Sequence, residues 1–145
     1  MRAVLDANVL VSGLLVGVGP SGQLIDLASA RRLEMVIPST ALIEAAIALR
    51  KSRVKDRYRL TRGRIQRYVD DLREGATIVP VTAQPDAVPG DPRDNHVLAV
   101  AVQERCDMIV SGDGHLLELE SYQGIPILSP REALTRLRDE DPDAC

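Results

Sequence analysis

The sequence predicts an α/β fold, a three-layer α/β/α sandwich around a central parallel sheet of four to five strands. Three observations lead there. Short aliphatic runs alternate with longer segments of helical spacing along the whole chain. The runs lack the period-two alternation of a sheet with one wet face, so both faces are covered. Several of them stop at an acid or a Gly/Pro turn, and right-handed crossovers gather all such strand ends on one edge.

The elements follow in order. Ala3 to Leu5 is an apolar run that reads, with Arg2, as a first strand, stopped by Asp6. A Gly-containing segment, 12–22, leads to helical spacing over 21–32, where Leu24, Ile25, Leu27 and Ala28 share a side and Ser21 suits the N-cap. Leu33 to Ile37 is a second strand closed by Pro38, and Ser39 or Thr40 caps a helix to about Arg50. A helix, a turn and a second helix near 61–74 come next, the last with Ile65, Tyr68, Val69 and Leu72 at helical spacing. Gly75 ends it, and Thr77 to Val81 is a β-branched third strand. Pro85, Pro89, Gly90 and Pro92 mark a loop. Asp91-Pro92 then opens a helix to about Arg105, acid as N-cap and Pro at the first helical position. Met108 to Val110 is a fourth strand, a short helix covers 115–120, Ile125 to Leu128 is the last strand, and Ser129-Pro130 starts a final helix. Residues 1–135 are expected to form one domain, and 136–145 an acidic, disordered tail.

Composition narrows the function. The chain of 145 residues is 45% hydrophobic and 27% charged, as an ordinary globular domain is. It has no Phe or Trp and only Tyr58, Tyr68 and Tyr122, so its core is aliphatic and base-stacking platforms are scarce. Cys106 and Cys145 form neither a disulfide framework nor a metal motif, which fits a reducing, cytoplasmic setting. The longest apolar run, within Val9 to Val18, is too short to span a bilayer, and no signal peptide is apparent. Charge is segregated. Residues 50–73 carry ten basic and three acidic side chains, a balance of +7 against −10 for the remainder.

Four acids stand where carboxylates need a reason. Asp6 follows the first strand, as a helix cap or as part of a site. Glu44 is the one polar residue in Ala41 to Leu49, and faces either solvent or a half-buried space where it needs a partner. Asp94 falls in the first turn of its helix, which the dipole alone would favour. Asp113 ends the fourth strand between Gly112 and Gly114, as a turn residue or a ligand. Asp91 is mainly a cap. Asp6, Asp94 and Asp113 share one sheet edge, and carboxylates gathered there stay ionised only beside a cation. All-oxygen ligation favours Mg²⁺ or Mn²⁺ over Zn²⁺, and such a cluster suits phosphodiester hydrolysis. Rival chemistry is missing: there is no Gly-rich phosphate loop and no Gly-x-Ser-x-Gly elbow. An aspartyl-phosphate phosphatase would want a second Asp at position 8, which is Asn8. His96 and His115 are isolated, and neither is given a role.

The order Asp6-x-Asn8-Val-Leu-Val-Ser12, then Glu44, then Asp91-Pro-x-Asp94-Asn-x-x-Leu-Ala, then Ser111-Gly-Asp113-x-x-Leu-Leu and Ile-Pro-Ile-Leu-Ser-Pro resembles the PIN-domain family. More narrowly it resembles that family's toxin branch in toxin–antitoxin systems. The resemblance implies a Mg²⁺- or Mn²⁺-dependent endoribonuclease with Asp6, Glu44, Asp94 and Asp113 as metal ligands. It implies supporting roles for Asn8, Ser12 and Ser111, the last standing where many members have Thr, and it makes Asp91 a second candidate ligand. It also admits an antitoxin partner and a homodimer. The basic segment fits an RNA backbone, with Arg50, Arg53, Arg57, Arg62 and Arg64 as contacts, or the antitoxin; otherwise it is a solvated helical pair. A non-catalytic RNA- or partner-binding module of the same fold is the alternative, and a metal-dependent phosphatase a weaker one.

Overall fold

Strand β1 (Arg2–Leu5) runs through the middle of the sheet between β2 (Glu34–Pro38) and β4 (Met108–Val110), parallel to both. Beyond β2 lies β3 (Ala76–Val79), and beyond β4 lies β6 (Ile125–Leu128), again parallel. A two-residue strand β5 (Ser121–Tyr122) pairs antiparallel with β6, giving the order β3-β2-β1-β4-β6-β5. The computed structural model describes residues 1–81 and 92–140, the side chains of 92–95 excepted. The expected architecture holds, with six strands instead of four to five. The added strand is β5, whose hairpin turns at Gln123 and Gly124, both at positive φ (49° and 82°). Two-residue hairpin turns of this kind usually announce themselves by Asn-Gly, and Gln does not.

The helices are α1 (Ala7–Leu15), α2 (Pro20–Ser29), α3 (Ser39–Leu49), α4 (Ser52–Tyr58), α5 (Arg62–Gly75), α6 (Pro92–Gln103), α7 (Gly114–Glu118) and α8 (Pro130–Glu140). Successive strand residues face opposite ways. Ala3, Leu5, Met35, Ile37, Met108 and Val110 pack with α1, α2, α3, α5 and α8, and Val4, Val36 and Ile109 pack with α6 and α7. That is the three-layer sandwich. Among the described residues no single helix is long and apolar enough to cross a membrane.

Several elements depart from expectation. α1 was hidden by Asn8, Ser12 and Gly13, all weak helix formers. It forms because its apolar side is buried and because Gly13 admits its neighbours: a Cβ there would lie 2.8 Å from the Tyr68 hydroxyl of α5. α2 starts at Pro20, with Gly19 as N-cap, so Ser21 is a buried helical residue and not the cap. α3 begins directly after Pro38, and neither Ser39 nor Thr40 is its N-cap. β3 covers residues 76–79, starting and stopping earlier than expected. α8 starts at Ser129-Pro130 as expected, and Ser129 and Glu132 close its end reciprocally: the Glu132 carboxylate accepts the Ser129 N–H at 3.0 Å while Ser129 Oγ accepts the Glu132 N–H at 3.1 Å. The tail expected to be disordered from residue 136 is helical through Glu140 with Leu137 buried; residues 141–145 lie outside the described ones. Cys106 is a core residue, and burial pushes its thiol up to about 12.

Candidate metal centre

The β1–β4 register pairs Leu5 with Val110, so the next residues, Asp6 and Ser111, come side by side at the carboxyl end of both strands. The Asp6 N–H continues the ladder to the Val110 carbonyl at 3.2 Å, and the Ser111 N–H reaches the Leu128 carbonyl at 3.0 Å. The sheet order reverses between β1 and β4: from β1 the chain builds outward to β2 and β3, and later elements build the other way. Open α/β sheets bind ligands at such a switch point, outside the strand carboxyl ends.

Ser111 is fully buried and ties two acids together. Its hydroxyl donates to Asp6 Oδ2 and accepts the Asp113 backbone N–H at 3.0 Å. Asp6 is itself 5% exposed, and its Oδ1 accepts the Val9 N–H at 3.0 Å as the cap of α1. Asp113, half-buried, caps α7 by accepting the His115 N–H at 2.8 Å. The capping reading is thus correct for Asp6, while Asp113, read as a turn residue or a ligand, is a cap as well; each cap uses one carboxylate oxygen. Burial pushes the Asp6 carboxyl above its ordinary value, against the hydrogen bonds from Ser111 and Val9, and the like charge of Asp113 pushes the same way. No basic side chain among the described residues pairs with either acid.

Glu44 is half-buried on α3, whose outward face carries Ile43 and Ile47, each 56% exposed. One turn earlier, Thr40 Oγ1 lies 3.0 Å from His96 Nδ1, joining the start of α3 to the start of α6. Asp94 is in the first turn of α6, its side chain outside the described residues, and Asp91 lies outside them altogether. Among the described residues no three His, Cys, Asp or Glu side chains form a metal-sized group. Asp6 and Asp113 are brought together; Glu44 does not join them in a triad. Asn8 is exposed in the first turn of α1, with its N–H toward Asp6, and Ser12 is half-buried one turn on. Sequence reasoning missed the Thr40–His96 pair and the Tyr68 hydroxyl, which donates to the Leu10 carbonyl at 2.5 Å and ties α5 to α1.

The five arginines singled out are all exposed: Arg50 at the end of α3, Arg53 and Arg57 on α4, Arg62 and Arg64 at the start of α5. Arg50, Lys55, Arg62 and Gln66 line an open cleft of ≈ 500 Å³. Arg50 donates to Gln66 at 3.0 Å, and Gln66 to Asp70 at 2.9 Å. α4 buries none of its side chains.

A family model of the PIN domain matches residues 2–115, from β1 to the start of α7. The chain belongs to the PIN-domain family. The crystal structure of VapBC2 from Rickettsia felis, bound to a DNA fragment from their promoter, matches with a TM-score of 0.60 at 16% identity. The match covers 89% of this chain and 98% of that one, and it shows a shared fold. No curated protein sequence matches significantly.

PIN domains are generally nucleases that use divalent metals, and the residues present fit such an ion. The donors at the switch point are carboxylate and hydroxyl oxygens, suited to a hard cation. Ser111 binds the carboxylate of one acid and the backbone N–H of the other; the first acid, Asp6, is held above its ordinary pKa by burial, and a cation beside the pair would offset both burial and mutual repulsion.

Proposed function

We propose that this PIN-domain protein is a Mg²⁺- or Mn²⁺-dependent endoribonuclease, the toxin of a toxin–antitoxin pair. The observation that carries the reading is the Asp6–Ser111–Asp113 arrangement: a buried hydroxyl that holds the Asp6 carboxylate and the Asp113 backbone N–H, so that two acids stand at the switch point of a parallel sheet without a basic partner among the described residues. Asp6, Glu44, Asp94 and Asp113 would hold the cation, with Asp91 as a further candidate. Asn8 and Ser12 would support the site from α1. Residues 1–135 would form the nuclease domain in a cytoplasmic protein. A bound Mg²⁺ or Mn²⁺ supplies Lewis-acid polarisation of a phosphoryl oxygen and a more acidic bound water.

The chain's own contribution is positioning. Ser111 orients the Asp6 carboxylate from the strand end, and the α1 and α7 caps fix the other oxygens. Arg50, Arg53, Arg57, Arg62 and Arg64 would draw in the RNA backbone through phosphate contacts that carry little sequence information. The apolar Ile43 and Ile47 beside that cationic surface support a protein partner, an antitoxin or a second copy of the chain.

Single-stranded RNA incubated with the protein and Mn²⁺ tests the reading. Cleavage that chelator abolishes is expected; cleavage that persists in chelator would contradict it. Chelator-insensitive RNA binding without cleavage would favour the non-catalytic binding module. Reversing Arg57, Arg62 and Arg64 to Glu should weaken RNA binding and flatten its salt dependence, and unchanged binding would remove that surface from the account.

A further inference from the structure

We propose that Thr40 and His96 form a positioning latch, their hydrogen bond fixing the start of α6 against the first turn of α3, the two helices that carry Asp94 and Glu44. The functional consequence rests on the metal-nuclease reading; the bond does not. Thr40 and His96 are 56 residues apart in the chain, and their side chains meet at 3.0 Å in a part-buried contact. The Thr40 hydroxyl can donate to an unprotonated Nδ1 or accept from a protonated one. It is not used to cap its own helix: the N-cap of α3 is Pro38, and no side chain caps that end.

Geometry makes this contact consequential. Thr40 and Glu44 are four residues apart on α3 and share a face. Asp94 and His96 lie two residues apart near the start of α6, close along the helix but on different faces. One bond therefore joins the carriers of two proposed ligands close to both. Val97, Leu98, Val100 and Ala101 bury α6 against the sheet, but apolar contact is non-directional and tolerates small slides and rotations. A hydrogen bond has a preferred length and angle and removes that freedom. Metal–ligand distances fall within about 0.2 Å of their standard values, so the latch matters more to the cation than to the fold. Outer partners that orient ligands typically change metal affinity about 10–100-fold when removed.

The test uses the full chain and Mn²⁺ alone, with binding followed by electron paramagnetic resonance. Thr40→Val keeps the shape and removes the hydroxyl; Thr40→Ser keeps the hydroxyl. Thr40→Val is expected to raise the Mn²⁺ Kd about tenfold, with Thr40→Ser close to wild type. In RNA cleavage, kcat of Thr40→Val should recover at excess Mn²⁺ while KM for RNA stays unchanged, a pattern that general loosening would not produce. His96→Leu should behave as Thr40→Val does, and His96→Asn should restore part of the loss. Should His96→Leu fail to fold, the Thr40 pair still decides. An unchanged Mn²⁺ Kd in Thr40→Val, or an equal loss in Thr40→Ser, would overturn the latch. A wild-type chain that binds no Mn²⁺ would overturn the nuclease reading instead. Amide exchange then decides the latch: faster exchange at the start of α6 in Thr40→Val alone retains it, and equal exchange in all variants rejects it.

Discussion

At the amino edge of the sheet, Glu34 opens β2 with its carboxylate 2.9 Å from Arg2 Nη2, while at the carboxyl edge Asp6 ends β1 buried beside another acid. Arg2 completes its neighbourhood: its backbone N–H donates to Asp107 at 2.8 Å and Nη1 to the Glu104 carbonyl at 2.6 Å. Hydrogen bonding and charge from Arg2 hold the Glu34 carboxyl below its ordinary value. Burial holds Asp6 above its own. Both are acids at strand ends, so position alone does not separate a structural carboxylate from a site. The supply of positive charge does. At the amino edge the chain brings its own cation, and at the carboxyl edge the described residues bring only hydroxyl and amide donors.

The largest effect should come from Asp6→Asn. It should lower Mn²⁺-dependent RNA cleavage by more than the roughly 100-fold upper range for losing an outer partner. Its metal-free melting temperature should not fall, because Asn is as good an N-cap as Asp. Full activity in this variant, or loss of fold, would break the contrast between the edges. Ser111→Ala comes next. It removes the buried donor to Asp6 and the acceptor for the Asp113 N–H, and should cost about 1–3 kcal/mol in denaturant unfolding. It should also weaken Mn²⁺ binding about tenfold.

A smaller effect separates the edges by sign. The folded Asp6 pKa is raised, so its contribution to metal-free stability is fully present below its unfolded value of 3.8 and is lost as pH rises through the folded value. The Glu34 pKa is lowered, so its contribution is present above its unfolded value of 4.5 and is lost as pH falls through the folded value. Urea unfolding from about pH 3 to pH 7 should therefore show wild type losing ground to Asp6→Asn as pH rises, and gaining on Glu34→Gln. Parallel curves would mean that the two acids sit in equivalent surroundings. The smallest change is expected from Arg2→Gln, since exposed ion pairs contribute little. It should slightly lower the melting temperature and leave RNA cleavage untouched.

Much of the carboxyl edge was legible because strand ends are. Met108 to Val110 and Ile125 to Leu128 are short aliphatic runs bounded by turn residues, and their limits match the strands. Asp6 and Asp113 stand one and three residues past β1 and β4, so parallel pairing alone predicts their approach. α1 was not legible, because tight packing around Gly13 overrides propensities that Asn8, Ser12 and Gly13 keep low. Nor was the Thr40–His96 contact. It depends on how α3 and α6 are rotated about their axes, which the hydrophobic spacing of two largely apolar helices leaves loose. Arg2 gave no sign of its three partners, which converge only when β1, β2 and β4 align.

The most direct measurement is a crystal structure of the protein soaked in Mn²⁺, with the ion located by anomalous scattering. A peak within ligand distance of the Asp6 and Asp113 carboxylates is the predicted result, with none beside Glu34. A fully occupied ion elsewhere, or density at the switch point that stays empty at millimolar Mn²⁺, would contradict the account.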